Sequence, residues 1–196
     1  MKKLFSILSV ALILASCGNK ASQTTEQSAE NAAPAQSEQA APVVYENNYL
    51  VKVGDVAPDF TLSLTDGTEF TLSKNRGKVV MLQFTASWCG ICRNEMPHIE
   101  KEIWQRHKDN PDFILVGVDR EETKEVIEDY TAKVGTTYPM LIDEKGDAFA
   151  SYAVRKSGIT RNVLIDRDGR IVMLTRRYVE PEFMQLVKTI DSLLSK

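Results

Sequence analysis

Three cysteines and two histidines among 196 residues leave little from which to build a metal centre. A structural zinc normally takes four nitrogen or sulfur ligands. Here Cys89 and Cys92 would need help from Cys17, His98 and His107, which are scattered along the chain. We therefore expect no metal and no other cofactor, with both histidines riding on a helix surface. Basic clusters are also missing. The chain has 24 Lys and Arg against 27 Asp and Glu, a formal net charge of -3, so nothing supports nucleic-acid binding. No apolar run is long enough to span a bilayer, the longest being Leu4 to Ala15. Internal repeats are absent, and residues 18–42 contain no large apolar side chain, so that stretch cannot bury a core. What remains, 43% hydrophobic and 26% charged residues, suits one globular domain with attachments.

The front end is an attachment. Lys2 and Lys3 precede the apolar run, and Leu14-Ala15-Ser16-Cys17 closes it. This resembles a bacterial lipoprotein signal, in which the segment before the cysteine is removed and the cysteine is lipid-modified. The expected organisation is a signal peptide over residues 1–16, a lipidated Cys17 with a disordered tether over 17–48, and a folded domain over 49–196. Several acyl chains on Cys17 would hold the protein stably at the membrane, where a single chain would not. No acidic pair follows Cys17, so the domain is expected to face the periplasm within a bacterial cell envelope. An uncleaved anchor, or a secretory signal with a chance cysteine, are the other readings of the same residues.

The stretch that carries chemistry is Thr85-Ala86-Ser87-Trp88-Cys89-Gly90-Ile91-Cys92-Arg93-Asn94-Glu95-Met96-Pro97. Before it, Val79 to Phe84 reads as a buried strand, and after it Met96, Ile99 and Ile103 recur at helical spacing. Cys89 should thus sit where a strand turns into a helix. Unpaired N–H groups and the positive end of the helix dipole there favour a thiolate, which makes the first cysteine the nucleophile. Cys92 lies one turn further on, within reach for a disulfide. A bare pair of this spacing also fits half a zinc site or an inert structural bridge. The first lacks ligands, and the strand-to-helix placement argues against the second. In an extracytoplasmic compartment, disulfides persist.

Around this stretch the pattern predicts an α/β domain. Phe60, Leu62 and Leu64, then Phe70 and Leu72, alternate about an Asp66-Gly67 turn, predicting a hairpin. Pro97 falls inside the cysteine helix and should bend it. Phe113 to Val118 is a second buried strand. Asp119 and Glu122 have the spacing of a capping box for a helix whose apolar face is Val126, Ile127, Tyr130 and Val134, with Gly135 as its stop. Tyr138 to Ile142 reads as a strand, with a turn from Asp143 to Gly146 and a short helix near Phe149 and Tyr152. Val163 to Ile165 and Ile171 to Leu174 flank the turn Asp166-Arg167-Asp168-Gly169, and Phe183, Val187, Ile190 and Leu194 stripe a terminal helix. The sum is a mixed sheet sandwiched by helices, with an N-terminal hairpin and an extra strand–helix piece before the last hairpin.

Taken together, these stretches resemble the thioredoxin superfamily, and within it the membrane-tethered TlpA/ResA-like thiol-disulfide oxidoreductases. The likeness runs from about Gly54 to Ile190. Gly54-Asp55-Val56-Ala57-Pro58-Asp59-Phe60 resembles the family's opening, Trp88-Cys89-Gly90-Ile91-Cys92 its redox motif, Glu95 its acidic residue one turn past the second cysteine, and Pro97 its helix-bending proline. The resemblance implies a thioredoxin-like fold and a protein disulfide substrate, attacked by Cys89 and released by Cys92. It also implies an upstream membrane thiol donor and, by analogy with ResA-like relatives, the reductive direction. Trp88 is expected to pack beside the site and screen it from water.

Three positions depart from the family pattern. Gln83 stands where thioredoxins place a buried aspartate, and an amide cannot accept the proton, so Glu95 becomes the expected acid–base group, its pKa raised by partial burial; a Glu95 facing solvent is the competing reading. Gly90-Ile91 replaces Gly-Pro, and this dipeptide tunes the reduction potential. Thr160 stands where the family has a cis-proline, so a trans Ile159–Thr160 peptide and a reshaped loop are expected; alternatively the hydroxyl hydrogen-bonds a cysteine sulfur. A thiol peroxidase of the alkyl hydroperoxide reductase and thiol-specific antioxidant type is the alternative function, with Arg161 as a cationic peroxide contact. Against it, Ala86 and Leu82 replace the threonine and proline that group requires. A binding module with a vestigial disulfide is a third reading.

Overall fold

A computed structural model describes residues 42–196; the expected signal segment, Cys17 and the tether to residue 41 lie outside the described residues. Strand β3 (Val79–Thr85) is buried along its whole length and forms the middle of a five-stranded sheet ordered β5-β4-β3-β6-β7. β4 (Phe113–Arg120) and β5 (Met140–Asp143) run parallel to it, whereas β6 (Arg161–Ile165) and β7 (Ile171–Arg176) add an antiparallel hairpin on the other side. The apolar runs read from the sequence are these strands, and the pleat divides their side chains between two cores. Val80, Leu82 and Phe84 pack with Phe149 and Tyr152; Val79 and Met81 pack with Met96, Ile99, Ile127 and Phe183. By the same alternation Gln83 and Thr85 face the second core, a polar pair among apolar neighbours.

The N-terminal hairpin, β1 (Thr61–Ser63) and β2 (Glu69–Thr71), pairs Leu62 with Phe70 and forms its own two-stranded sheet. Its turn is built as expected, with Gly67 at φ 87° and the Asp66 carboxylate accepting from the Thr68 N–H at 2.8 Å. α1 (Gly90–Ile99) contains Pro97, and the expected distortion takes the form of a π segment, Glu100–Trp104, that leads into the short α2 (Gln105–His107). The missing proline N–H and the wider ladder that follows let the chain continue as helix rather than break.

The capping box is a correction. α3 (Lys124–Val134) begins later than the spacing predicts, with Thr123 at its N-cap, because Asp119 and Arg120 are still part of β4 and fully or nearly buried. Sheet pairing of Asp119 with Thr85 and Ile142 prevails over the local cap. Val126 is likewise exposed, at 40%, while Ile127 and Tyr130 form the buried face; Gly135 ends the helix at φ 79° as expected. α4 (Asp147–Tyr152) is capped by Asp143, whose carboxylate accepts from the Ala148 and Phe149 N–H groups at 3.2 and 2.9 Å. α5 (Glu180–Leu194) buries Phe183, Val187 and Ile190.

Two further expectations shift. His107 is not a surface residue: its side chain is 14% exposed and meets Asp191 at 2.9 Å, while His98 stacks on the Tyr178 ring at 4.6 Å. The tertiary contacts also begin before residue 49. Glu46–Asn48 form a 3-10 turn, the Tyr45 N–H donates to Tyr49 O, and Asn48 O accepts from the Val154 N–H at 2.9 Å. Asn47 O accepts from buried Arg161 at 2.6 Å. No helix among the described residues is long and apolar enough to cross a membrane.

Candidate active site

The end of β3 delivers the chain into a tight turn, where the Cys89 N–H donates to Ala86 O at 3.0 Å, and α1 starts at the next residue. Cys89 is the N-cap, its Sγ accepting from the Cys92 N–H at 3.2 Å. The pair forms a disulfide with Cα atoms 5.3 Å apart. Cys89 keeps 8% of its surface and Cys92 none, so the N-terminal sulfur is the one that meets an incoming group. The Cys92 N–H points at that sulfur and, with the positive end of the helix dipole, would hold charge on it after reduction.

Thr160, at the base of β6, places Oγ1 at 3.2 Å from each sulfur. A disulfide has no proton to give, so the hydroxyl donates. Its loop is held from behind: Thr160 O accepts from the Arg177 N–H at 3.2 Å and Arg176 Nη1 at 3.3 Å. The hydroxyl–sulfur contact, one of the two arrangements expected of a threonine at this position, is thus present.

Glu95, one turn below Cys92, is 1% exposed, so burial is complete rather than partial. It faces a polar row across the sheet, in which Gln83, Asn162 and Thr175 are register partners. Asn162 Nδ2 donates to Glu95 Oε1 at 2.7 Å and to Thr175 Oγ1 at 2.9 Å, and the Tyr138 hydroxyl donates to Gln83 Oε1 at 2.6 Å. Gly117 makes room for this, since a Cβ there would meet the Tyr138 ring at 3.3 Å and Met140 closer still. Burial pushes the Glu95 carboxyl up to about 7, against the pull of the Asn162 and Gln83 amides. A carboxyl at that value exchanges its proton near neutral pH.

The other expected residues are distributed around this centre. Gly90 and Ile91 lie on the exposed first turn, and Pro97 faces solvent on α1. Trp88, the residue before Cys89, is 57% exposed, with the Arg120 guanidinium 5.3 Å from its ring centre. Arg161 is fully buried, stacked on Tyr49 at 4.3 Å and bonded to Asn47 O and Ser157 Oγ, so its contacts tie the lead-in turn to β6. The sequence pattern does not single out Asn162, Tyr138, Arg120 or Asp119 as site residues. The signal available was polar residues inside otherwise apolar runs, as in Val79-Val80-Met81-Leu82-Gln83-Phe84 and Phe113-Ile114-Leu115-Val116-Gly117-Val118-Asp119-Arg120.

A mixed five-stranded sheet whose central strand feeds a disulfide-capped helix defines a thioredoxin-fold thiol-disulfide oxidoreductase. Residues 52–194 match the Redoxin family, and the chain belongs to it. Within the superfamily it is TlpA/ResA-like. It is 34% identical over 121 residues to the thiol-disulfide oxidoreductase ResA of Geobacillus thermodenitrificans, covering 62% of this chain and 67% of the relative. To the ResA of Halalkalibacterium halodurans it is 30% identical over 144 residues, covering 71% and 79%. Among solved structures it is similar to a candidate protein disulfide isomerase from Bacteroides thetaiotaomicron, with 58% identity, TM-score 0.74, and 76% and 94% of the two chains covered. A candidate thiol:disulfide interchange protein DsbE from Chlorobium tepidum gives 28% identity, TM-score 0.64, and 74% and 99% coverage.

Proposed function

We propose that the protein is an extracytoplasmic protein disulfide reductase, held at a bacterial membrane through lipidated Cys17. The observation that carries this reading is the asymmetry of the pair: Cys89 at the helix N-cap retains exposure and Cys92 beneath it has none. Reduced Cys89 attacks one sulfur of a substrate protein disulfide as the thiolate. A mixed disulfide forms and the first substrate sulfur leaves as a thiolate, which takes a proton from solvent. Glu95 accepts the Cys92 proton, and the Cys92 thiolate attacks the Cys89 sulfur, closing the Cys89–Cys92 bond and expelling the second substrate thiolate. Two electrons pass to the substrate, and an upstream membrane thiol donor restores the dithiol. The Thr160 hydroxyl donates to the Cys89 thiolate at the start of the cycle. The reductive direction and the location draw their support from the ResA relatives and from the signal-like residues that end in Cys17.

Titration of the chain in a dithiol redox buffer is the test. A single two-electron couple is expected, absent in Cys89→Ser, with Cys92→Ala accumulating a mixed disulfide with its substrate. No couple at all would overturn the enzymatic reading. A potential near the roughly -120 mV of a strong oxidant, rather than toward the roughly -270 mV of thioredoxin, would overturn the reductive direction.

A further inference from the structure

Asp119 closes the row of β4 residues that faces α1 and α3, with Thr85 and Ile142 as its register partners. Its side chain is fully buried, and neither carboxyl oxygen meets a donor. A buried carboxylate without donors is costly, whereas the neutral acid needs only an acceptor for its proton. The groups acting on it are Glu122 from the loop before α3 and Asp143 at the end of β5. The Tyr130 hydroxyl of α3, bonded to Thr85, lies within its influence, and Arg93 in the first turn of α1 acts on that same tyrosine. Arg120, the next residue on β4, stands on the other face of the sheet against Phe149. Burial, reinforced by Glu122 and Asp143, pushes Asp119 up to about 9, so it carries its proton at neutral pH.

Glu122 shows where that proton can point. Its two oxygens accept from the Ser87 N–H at 2.6 Å and from the Ser87 Oγ at 2.5 Å. Ser87 lies two residues before Cys89, in the turn that also carries exposed Trp88. A carboxylate has lone pairs to spare beyond these two bonds. The Glu122 side chain therefore joins the end of β4 to the turn that presents the disulfide.

We propose that Asp119 is a positioning residue: as the neutral acid it donates to the Glu122 carboxylate, and the two together hold Ser87 and fix the turn that offers Trp88 and Cys89 to a substrate. The proposal rests on Cys89–Cys92 being the reacting pair. When Asp119 ionises, its proton goes to solvent, two adjacent carboxylates repel, and Ser87 is released.

The oxidised full chain, with Trp104→Phe to leave Trp88 as the one indole, reads this directly. Trp88 emission followed from pH 6 to 11 is expected to show a transition with midpoint near 9. Asp119→Asn keeps a donor toward Glu122 and cannot ionise; it should lose the transition and keep the parent KM for a protein disulfide. Asp119→Leu should show the high-pH emission already at neutral pH, with KM raised at least threefold and kcat unchanged. A parent without the transition, or an Asp119→Asn protein that titrates like the parent, would overturn the proposal, and the latter comparison stands even if Asp119→Leu fails to fold. The emission arm needs no turnover, so a chain without a redox couple would sink the proposed function and leave this result readable.

Discussion

Thr160 supplies a hydroxyl where the resembling family has a proline, and a hydroxyl can donate where a proline cannot. In the oxidised protein that donor lies 3.2 Å from both sulfurs. After reduction the better acceptor is the charged Cys89 sulfur, and a hydrogen bond to a charged group contributes about 1.5–3 kcal/mol. Thr160→Val keeps the shape and removes the donor. We expect it to raise the pH at which Cys89 is half ionised by about 1–2 pH units, and Thr160→Ser to restore it, as read from the pH dependence of Cys89 alkylation by iodoacetamide. An unchanged profile in Thr160→Val would leave the hydroxyl with a packing role only.

At the scale of elements, the site is made where two of them meet: the N-terminus of α1 and a row running across β3, β6 and β7. The first was legible. An apolar strand followed by residues at helical spacing placed Cys89 at a helix start, and a glycine or an Asx turn closes each hairpin and ends α3 where the pattern puts it. The row was not legible, because Gln83, Asn162 and Thr175 lie far apart in the chain and become neighbours only through antiparallel register. For the same reason Asp119 and Glu122 mimic a cap: their spacing is right for one, but pairing with β3 and β5 extends β4 past the point where a local rule would end it. The row makes a prediction of its own. Asn162 favours the ionised form of Glu95, so Asn162→Val should raise the Glu95 pKa further above about 7. The pH profile of Cys92-dependent release of a mixed disulfide should move up by about one pH unit, and the substitution should have no effect on that profile in a Glu95→Gln background. A shift that persists in Glu95→Gln would assign Asn162 to the scaffold alone.

At the scale of the whole molecule, two buried acids set a slope of stability with pH. Glu95 rises from 4.5 to about 7 and Asp119 from 3.8 to about 9, so between these limits the folded chain keeps protons that the unfolded chain has released. Their contribution is intact below about pH 4 and declines as pH rises through both folded values. Glu95→Gln with Asp119→Asn should therefore gain in thermal midpoint over the parent as pH goes from 4 to 9, when both are measured oxidised. A difference that stays constant with pH would show that neither group is protonated in the fold.

The Arg161 guanidinium grips Asn47 O at one end, and its own backbone follows directly on Thr160, whose hydroxyl touches the sulfurs. Traction applied to the chain at Tyr45–Asn48 would thus be felt first one peptide away from the disulfide. The lead-in turn and the reactive tip thus share an anchor point, and a displacement of the one would be passed to the hydroxyl that lies against the sulfurs.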